Sequence, residues 1–343
     1  FDDHAVRKVA NVDLDGDIEV LAEGLSGTSL GRPYLSGGYN VSKNGLITFT
    51  YGTADRPANI AIMSGGKRQV LTALNEDFLS HKDLGQVHEI IYNSSHDGQE
   101  IEGWYMTPPN FDPNKKYPLV LEIHGGPSLA YGPGFSAEFQ RFAAEGYVVF
   151  YDNHRGSSGY GEKFSMLLHN KYSSVDDFAD HNSGVDAMLG LGFIDENNLF
   201  ITGGSAGGIA AAYAIGLTDR FNAAGVIKPI VNWLSKALYA DSSTGQLHNQ
   251  FPGFPWDHVD HFWKRSPMSL VGNVKTPTLL MTGEQDRRTP IAEIEQYYQA
   301  LKLLKVDTIM VRVKGSPHGI AGRPSRLNAK VDNIMAWFER YKK

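Results

Sequence analysis

Three polar residues in this sequence could together perform nucleophilic catalysis: Ser205, Asp286 and His318. A serine hydroxyl attacks poorly until a base accepts its proton. An imidazole can do so near neutrality, and a carboxylate can hold that imidazole in one tautomer and stabilise its protonated form. Ser205 lies in Gly203-Gly204-Ser205-Ala206-Gly207, a Gly-x-Ser-x-Gly pattern. The pentapeptide alone says little, because glycine- and serine-rich turns are common. Its context says more: Leu199 to Thr202 reads as a buried strand and Ile209 to Ile215 as a helix packed closely on a sheet. A strand that turns at once into a helix strains the corner residue and needs small neighbours. It lifts the serine hydroxyl clear of the sheet and aims the first N–H groups of the helix at a developing anion.

The partners fall at strand ends, where ligands and catalytic groups gather in open parallel sheets. Asp286 follows the strand ending at Met281, within Gly283-Glu284-Gln285-Asp286-Arg287-Arg288-Thr289-Pro290; Glu284 is the alternative acid of this turn. His318 follows the strand ending at Val313 and is the one histidine of twelve beyond Asp286. The order Ser, Asp, His is that of an α/β-hydrolase. A further turn, His124-Gly125-Gly126-Pro127, comes directly after the strand Tyr117–Ile123. Its glycines would let the backbone approach a reacting carbonyl, so that Gly126 N–H and Ala206 N–H together form an oxyanion hole. Two other stretches suggest cations but read as polar turns: Asp13-x-Asp15-Gly16-Asp17-x-Glu19, too short for a calcium loop, and His258-x-x-His261. No metal or cofactor is expected.

The elements that would position these groups alternate between strand and helix from about residue 81 onward. Strands are predicted at Glu89–Tyr92, Ile101–Met106, Tyr117–Ile123, Tyr147–Tyr151, Leu199–Thr202, Ala223–Ile227, Thr276–Met281 and Thr308–Val313. Helices are predicted at Ser136–Glu145, Val175–Leu189 and about Ser325–Tyr341. Such alternation gives an α/β fold, a mostly parallel sheet with helices on both faces. Residues 1–80 differ. Runs at Val6–Leu14, Ile18–Ala22, Tyr39–Ser42, Leu46–Tyr51, Ala58–Met63 and Gln69–Leu74 are separated by tight polar turns. Four short strands in a row suit one blade of a β-propeller, and the first hairpin would end the preceding blade. The expected domains are therefore 1–80, about one and a half blades, and 81–343, the catalytic domain. One and a half blades cannot close a ring, so a fragment or processed chain is expected, completed by an N-terminal propeller portion that could be a separate chain.

Composition narrows the function. A chain of 343 residues suits one large domain plus a smaller piece. Its net charge of −6, with no long run of either sign, argues against nucleic acid and against a basic membrane-binding face. No apolar run is long enough to span a bilayer. The absence of cysteine excludes disulfides and thiolate chemistry but does not fix the compartment; a cytoplasmic location is expected, with a periplasmic or secreted one as the alternative.

Taken together, Gly-Gly-Ser-Ala-Gly-Gly, His-Gly-Gly-Pro and Arg155-Gly156-Ser157-Ser158-Gly159-Tyr160-Gly161 resemble the prolyl oligopeptidase family of serine peptidases. Gly-Glu-x-Asp-x-Arg-Thr-Pro and the tail His318-Gly-Ile-Ala-Gly-Arg-Pro-Ser point to its acylaminoacyl-peptidase branch. The resemblance runs from about residue 40 to the end. It implies a propeller that caps the catalytic domain and admits only short peptides, and it leaves homo-oligomers possible. It also implies that Arg288 braces the site and reaches substrate carbonyl groups, and that Trp233 and Tyr239 line the pocket, although core packing explains those aromatics equally well. The expected function is a serine peptidase of acylaminoacyl or dipeptidyl type. The rivals are a carboxylesterase with the same machinery, whose relatives usually carry a third glycine where Pro127 stands, and a non-catalytic binding scaffold.

Overall fold

A computed structural model describes residues 1–27 and 30–343. The carboxyl-terminal part is built on an eight-stranded sheet of β8 (Gln86–Asn93), β9 (Glu100–Thr107), β10 (Tyr117–Ile123), β11 (Val148–Asp152), β12 (Ile194–Gly204), β13 (Ala223–Ile227), β14 (Thr278–Gly283) and β15 (Thr308–Val313). Their spatial order is β8-β9-β11-β10-β12-β13-β14-β15. The pairs β8–β9 and β9–β11 are antiparallel, and all other neighbours are parallel. This is the α/β-hydrolase fold.

Its strands read as continuous apolar runs because both faces are covered. On one face Leu119, Leu121, Ile123, Ile201 and Leu280 pack with Val185 and Met188 of the helix Val175–Gly190 and with Ile294 and Tyr297 of the helix Ile291–Leu303. On the other, Val120, Val149, Phe200 and Leu279 meet Phe139 and Phe142 of the helix Ala137–Ala144 and Ile334 and Phe338 of the helix Pro324–Tyr341. Alternate residues of one strand thus feed two cores. The elbow strand is longer than predicted, starting at Ile194. Ile194 pairs with Tyr117, and Leu199 resumes the ladder with Leu119 across an irregularity that absorbs the polar residues between.

The amino-terminal sheet comprises β1 (Asp2–Asp3), β2 (Val6–Val12), β3 (Ile18–Leu25), β4 (Tyr39–Val41), β5 (Ile47–Tyr51), β6 (Asn59–Ser64) and β7 (Lys67–Val70). The strands β4 to β7 form the antiparallel meander expected of a blade. The hairpin β2–β3 joins the same sheet through a single pair, Leu25 with Tyr51. The last strand lies at Lys67–Val70 rather than Gln69–Leu74: Gly65 and Gly66, both at positive φ, close a two-residue turn, so pairing begins at once with Ser64 and Lys67. The Asp13–Asp17 stretch is a turn in which Asp13 Oδ1 accepts from the N–H groups of Asp15 and Asp17.

The two sheets also meet away from the stretch that joins them in the chain. Residues 30–35, between the predicted runs Ile18–Ala22 and Tyr39–Ser42, lie against residues 130–137, which follow β10. Gly132 N donates to Pro33 O, Leu35 N to Ala130 O and Ala137 N to Leu30 O.

Candidate active site

The elbow is built as its sequence requires. Ser205 sits between β12 and the helix Ala206–Ala214 at φ 62°, ψ −122°, a region that side chains other than glycine rarely adopt. The neighbouring glycines leave no room for side chains: a Cβ on Gly203 would lie 2.3 Å from Gly207 O, and one on Gly207 would lie 2.0 Å from Ile123 O. Ser205 N–H donates to Ile227 O at 3.0 Å and ties the corner to β13.

Ser205, His318 and Asp286 come together. His318 Nε2 lies 3.0 Å from Ser205 Oγ, and His318 Nδ1 lies 2.8 Å from Asp286 Oδ2. The carboxylate is itself held: Oδ1 accepts from the N–H groups of Arg288 and Thr289, both at 2.9 Å, and the Thr289 hydroxyl donates to Oδ2 at 2.9 Å. Burial opposes ionisation of Asp286, but the His318 imidazole and the Thr289 donors outweigh it and keep its pKa below the ordinary value. Burial pushes the His318 pKa down; the Asp286 hydrogen bond pulls it back, while the Lys228 and Arg288 charges reinforce the depression. The imidazole is therefore neutral near pH 7, with Nδ1–H directed to Asp286 and Nε2 free to accept the serine proton.

His124, Gly125 and Gly126 follow β10 beside the elbow. An ideal Cβ on Gly126 would lie 3.8 Å from the Ala206 Cβ, so the two residues are neighbours. Among the described residues neither Gly126 N–H nor Ala206 N–H has a protein acceptor, which leaves both free for an oxyanion. His124 is buried and its pKa is pushed down to about 3, by burial and then by neighbouring His154, so it stays neutral.

Of the other sequence candidates, Arg288 contributes its backbone N–H to Asp286, while its guanidinium pairs with Asp241 at 2.6 Å. Tyr239 is half-exposed and donates its hydroxyl to Glu293. Trp233 is only 2% exposed and packs with Ile209, Phe251 and Phe262 in an interior cluster, the core packing that its aromatic character equally allowed. Glu284 accepts from Gly315 N–H and makes no bond to His318.

Sequence reasoning missed several groups. Lys228, just past β13, donates from Nζ to His318 O at 2.8 Å; a lysine at the carboxyl end of a parallel strand was a usable signal. Arg32 reaches Glu122 and Tyr34 reaches the Gly125 N–H beside the turn after β10, and nothing local announced them. A buried group at the end of β11 was also missed. Asp152, His154 and His181 bring potential ligand atoms within 4.8 Å of one another, the one such group among the described residues; His258 and His261 belong to none. His181 Nδ1 lies 2.9 and 3.0 Å from the two Asp152 oxygens, and the Tyr92 hydroxyl donates to Asp152 Oδ2 at 2.7 Å. Burial lowers the His181 pKa, but the carboxylate outweighs it and the net direction is upward. His181 Nδ1 thus faces both Asp152 oxygens, a buried carboxylate–imidazole pair.

Comparison with known proteins finds related sequences and structures. The profile described as "Prolyl oligopeptidase family" matches residues 133–343. The chain is 35% identical over 291 residues to the "Uncharacterized peptidase YuxL" of Bacillus subtilis, covering 84% of this chain and 44% of that protein. It is 31% identical to the "Acylamino-acid-releasing enzyme" of Arabidopsis thaliana, covering 70% of this chain and 32% of that one. Among solved structures, the acylaminoacyl peptidase of Pyrococcus horikoshii superposes with a TM-score of 0.86 at 27% identity, over 96% of this chain and 52% of that one. The chain spans less than half the length of the curated relatives it matches.

Proposed function

The chain belongs to the prolyl oligopeptidase family, and from that premise we propose that it is the catalytic part of a serine peptidase that cleaves short peptides through an acyl-enzyme. The observation that carries this reading is the hydrogen-bonded series Ser205–His318–Asp286 at a strained elbow. Ser205 Oγ attacks the scissile carbonyl carbon as its proton passes to His318 Nε2. Asp286 holds the imidazole and stabilises the imidazolium. The N–H groups of Gly126 and Ala206 take the carbonyl oxygen as it becomes negative. His318 then gives the proton to the leaving amine, the acyl group remains on Ser205, and a water activated by the same imidazole releases it.

Names among the relatives favour substrates with a blocked amino terminus, with release of amino-terminal dipeptides as the alternative within the same chemistry. The antiparallel meander β4–β7, with apolar residues standing in solvent, supports reading residues 1–80 as strands of a capping β-propeller, the filter that would admit only short peptides. None of the helices is long and apolar enough to cross a membrane among the described residues; a cytoplasmic location remains part of this proposal.

The test is turnover of N-acetyl-alanyl p-nitroanilide, a free dipeptidyl p-nitroanilide and a p-nitrophenyl ester by the wild-type chain and by Ser205→Ala. Cleavage of the acylated anilide that disappears in the variant is the expected result. Cleavage of the ester alone would replace the peptidase by an esterase.

A further inference from the structure

The oxyanion loop is gripped from behind by residues 31–34, which lie between β3 and β4 of the amino-terminal sheet. Arg32, buried on the catalytic domain, pairs with Glu122 at 2.6 Å and Glu138 at 3.3 Å. Glu122 lies in β10, two residues before His124, and its second oxygen accepts the Tyr131 hydroxyl at 2.7 Å. Glu138 also takes Lys330 Nζ at 2.5 Å, and the Ser136 hydroxyl donates to Gly31 O at 2.7 Å. These contacts fix where residue 34 must fall. The Tyr34 ring packs on Tyr131 with centroids 4.7 Å apart, and the Tyr34 hydroxyl oxygen accepts the Gly125 N–H at 2.8 Å.

Gly125 has nowhere else to go. A Cβ built on it would lie 3.0 Å from Gly204 O, 3.1 Å from the Tyr34 hydroxyl and 3.4 Å from the Ser205 Cβ. The loop is thus confined between the elbow on one side and a phenol on the other. One of its two glycine N–H groups is committed to that phenol, and the next, on Gly126, is left for substrate.

We propose that Tyr34 is a positioning residue for the oxyanion hole: by accepting the Gly125 N–H it sets the peptide planes of the loop so that the Gly126 N–H points at the developing oxyanion. The inference rests on the serine peptidase reading above and extends it to the segment between β3 and β4. Because the oxyanion exists only after attack has begun, misaligning its donor slows the chemical step and leaves ground-state binding alone.

Tyr34→Phe keeps the ring and removes only the acceptor. With rates normalised to folded protein, kcat is expected to fall about tenfold with KM unchanged, short of the roughly 100- to 1,000-fold that follows loss of an oxyanion donor itself. The Ki of a peptidyl trifluoromethyl ketone, whose adduct with Ser205 carries an oxyanion, should rise by the same factor, while the Ki of the product peptide stays constant. A variant with wild-type kcat and ketone affinity overturns the proposal. So does a loss confined to KM, or one that vanishes on normalisation. Failure of the underlying reading looks different: the wild type would neither turn over acylated anilides nor label at Ser205 with a fluorophosphonate.

Discussion

The two sheets solve the problem of burial in opposite ways. The eight-stranded sheet is covered on both faces, and residues such as Val120, Val149, Phe200, Ile201 and Leu280 are fully enclosed. Among the described residues the amino-terminal sheet has a small core cluster of six buried side chains, Val9, Ala22, Leu25, Ile47, Phe49 and Ala61. Leu14, Ile18, Val20, Tyr39 and Val41 on or beside its strands stand in solvent. A parallel sheet with crossover helices brings its own cover, whereas an antiparallel meander leaves a face for something else to occupy. Ser205, Asp286 and His318 all follow strands of the sheet that brings its own cover, and Tyr34 reaches them from the other part of the chain.

Changes placed on either side should separate the two in size. The largest effect belongs to Ser205→Ala, expected to lower kcat on the acylated anilide by roughly a million-fold, as loss of a serine nucleophile does elsewhere, with the thermal unfolding transition unmoved. Retained turnover would take the chemistry out of the elbow. Next comes Phe338→Ala: its fully buried ring stacks on Phe200 at 4.7 Å, and its removal should cost about 3–5 kcal/mol in urea unfolding. A cost below 1 kcal/mol would mean that this core is no better packed than the other. A smaller, electrostatic change tests the region between strand ends. His318 must be neutral to accept a proton, so kcat/KM should fall as pH drops through an imidazole pKa held below its ordinary value. Lys228→Met removes one of the charges that depress it and should move this acid limb to higher pH; a limb that stays put or moves down would contradict the assignment. The smallest effect is Ile18→Thr on the exposed hairpin, within about 0.5 kcal/mol in this chain.

Legibility followed the same divide. The catalytic sheet could be read because its signals are local: β-branched runs that both cores demand, and glycines where Gly203 and Gly207 touch backbone. Asp286 and His318 were legible because parallel strands end on one edge, so position along the chain translated into position in space. Trp233 was ambiguous for a physical reason, since an aromatic at helical spacing serves a pocket wall or a core equally well. Arg32 and Tyr34 were invisible. They lie in a stretch of turn-forming residues, and their partners Glu122, Glu138 and Gly125 are brought to them only by the folded sheet. A charge buried in a linker has no periodicity to betray it.

The relay joins residues far apart along the chain: Ser205 and His318 are 113 positions apart, His318 and Asp286 32, and Tyr34 and Gly125 91. No hairpin or single strand–helix unit contains these residues, so turnover would report the closing of long loops rather than of any one local unit. During refolding from denaturant, helical circular dichroism should return first and hydrolysis last, because long-range pairings are made only after local structure has formed. Activity then serves as a clock for the completed topology, set by when the chain's distant ends of strands come to share one edge.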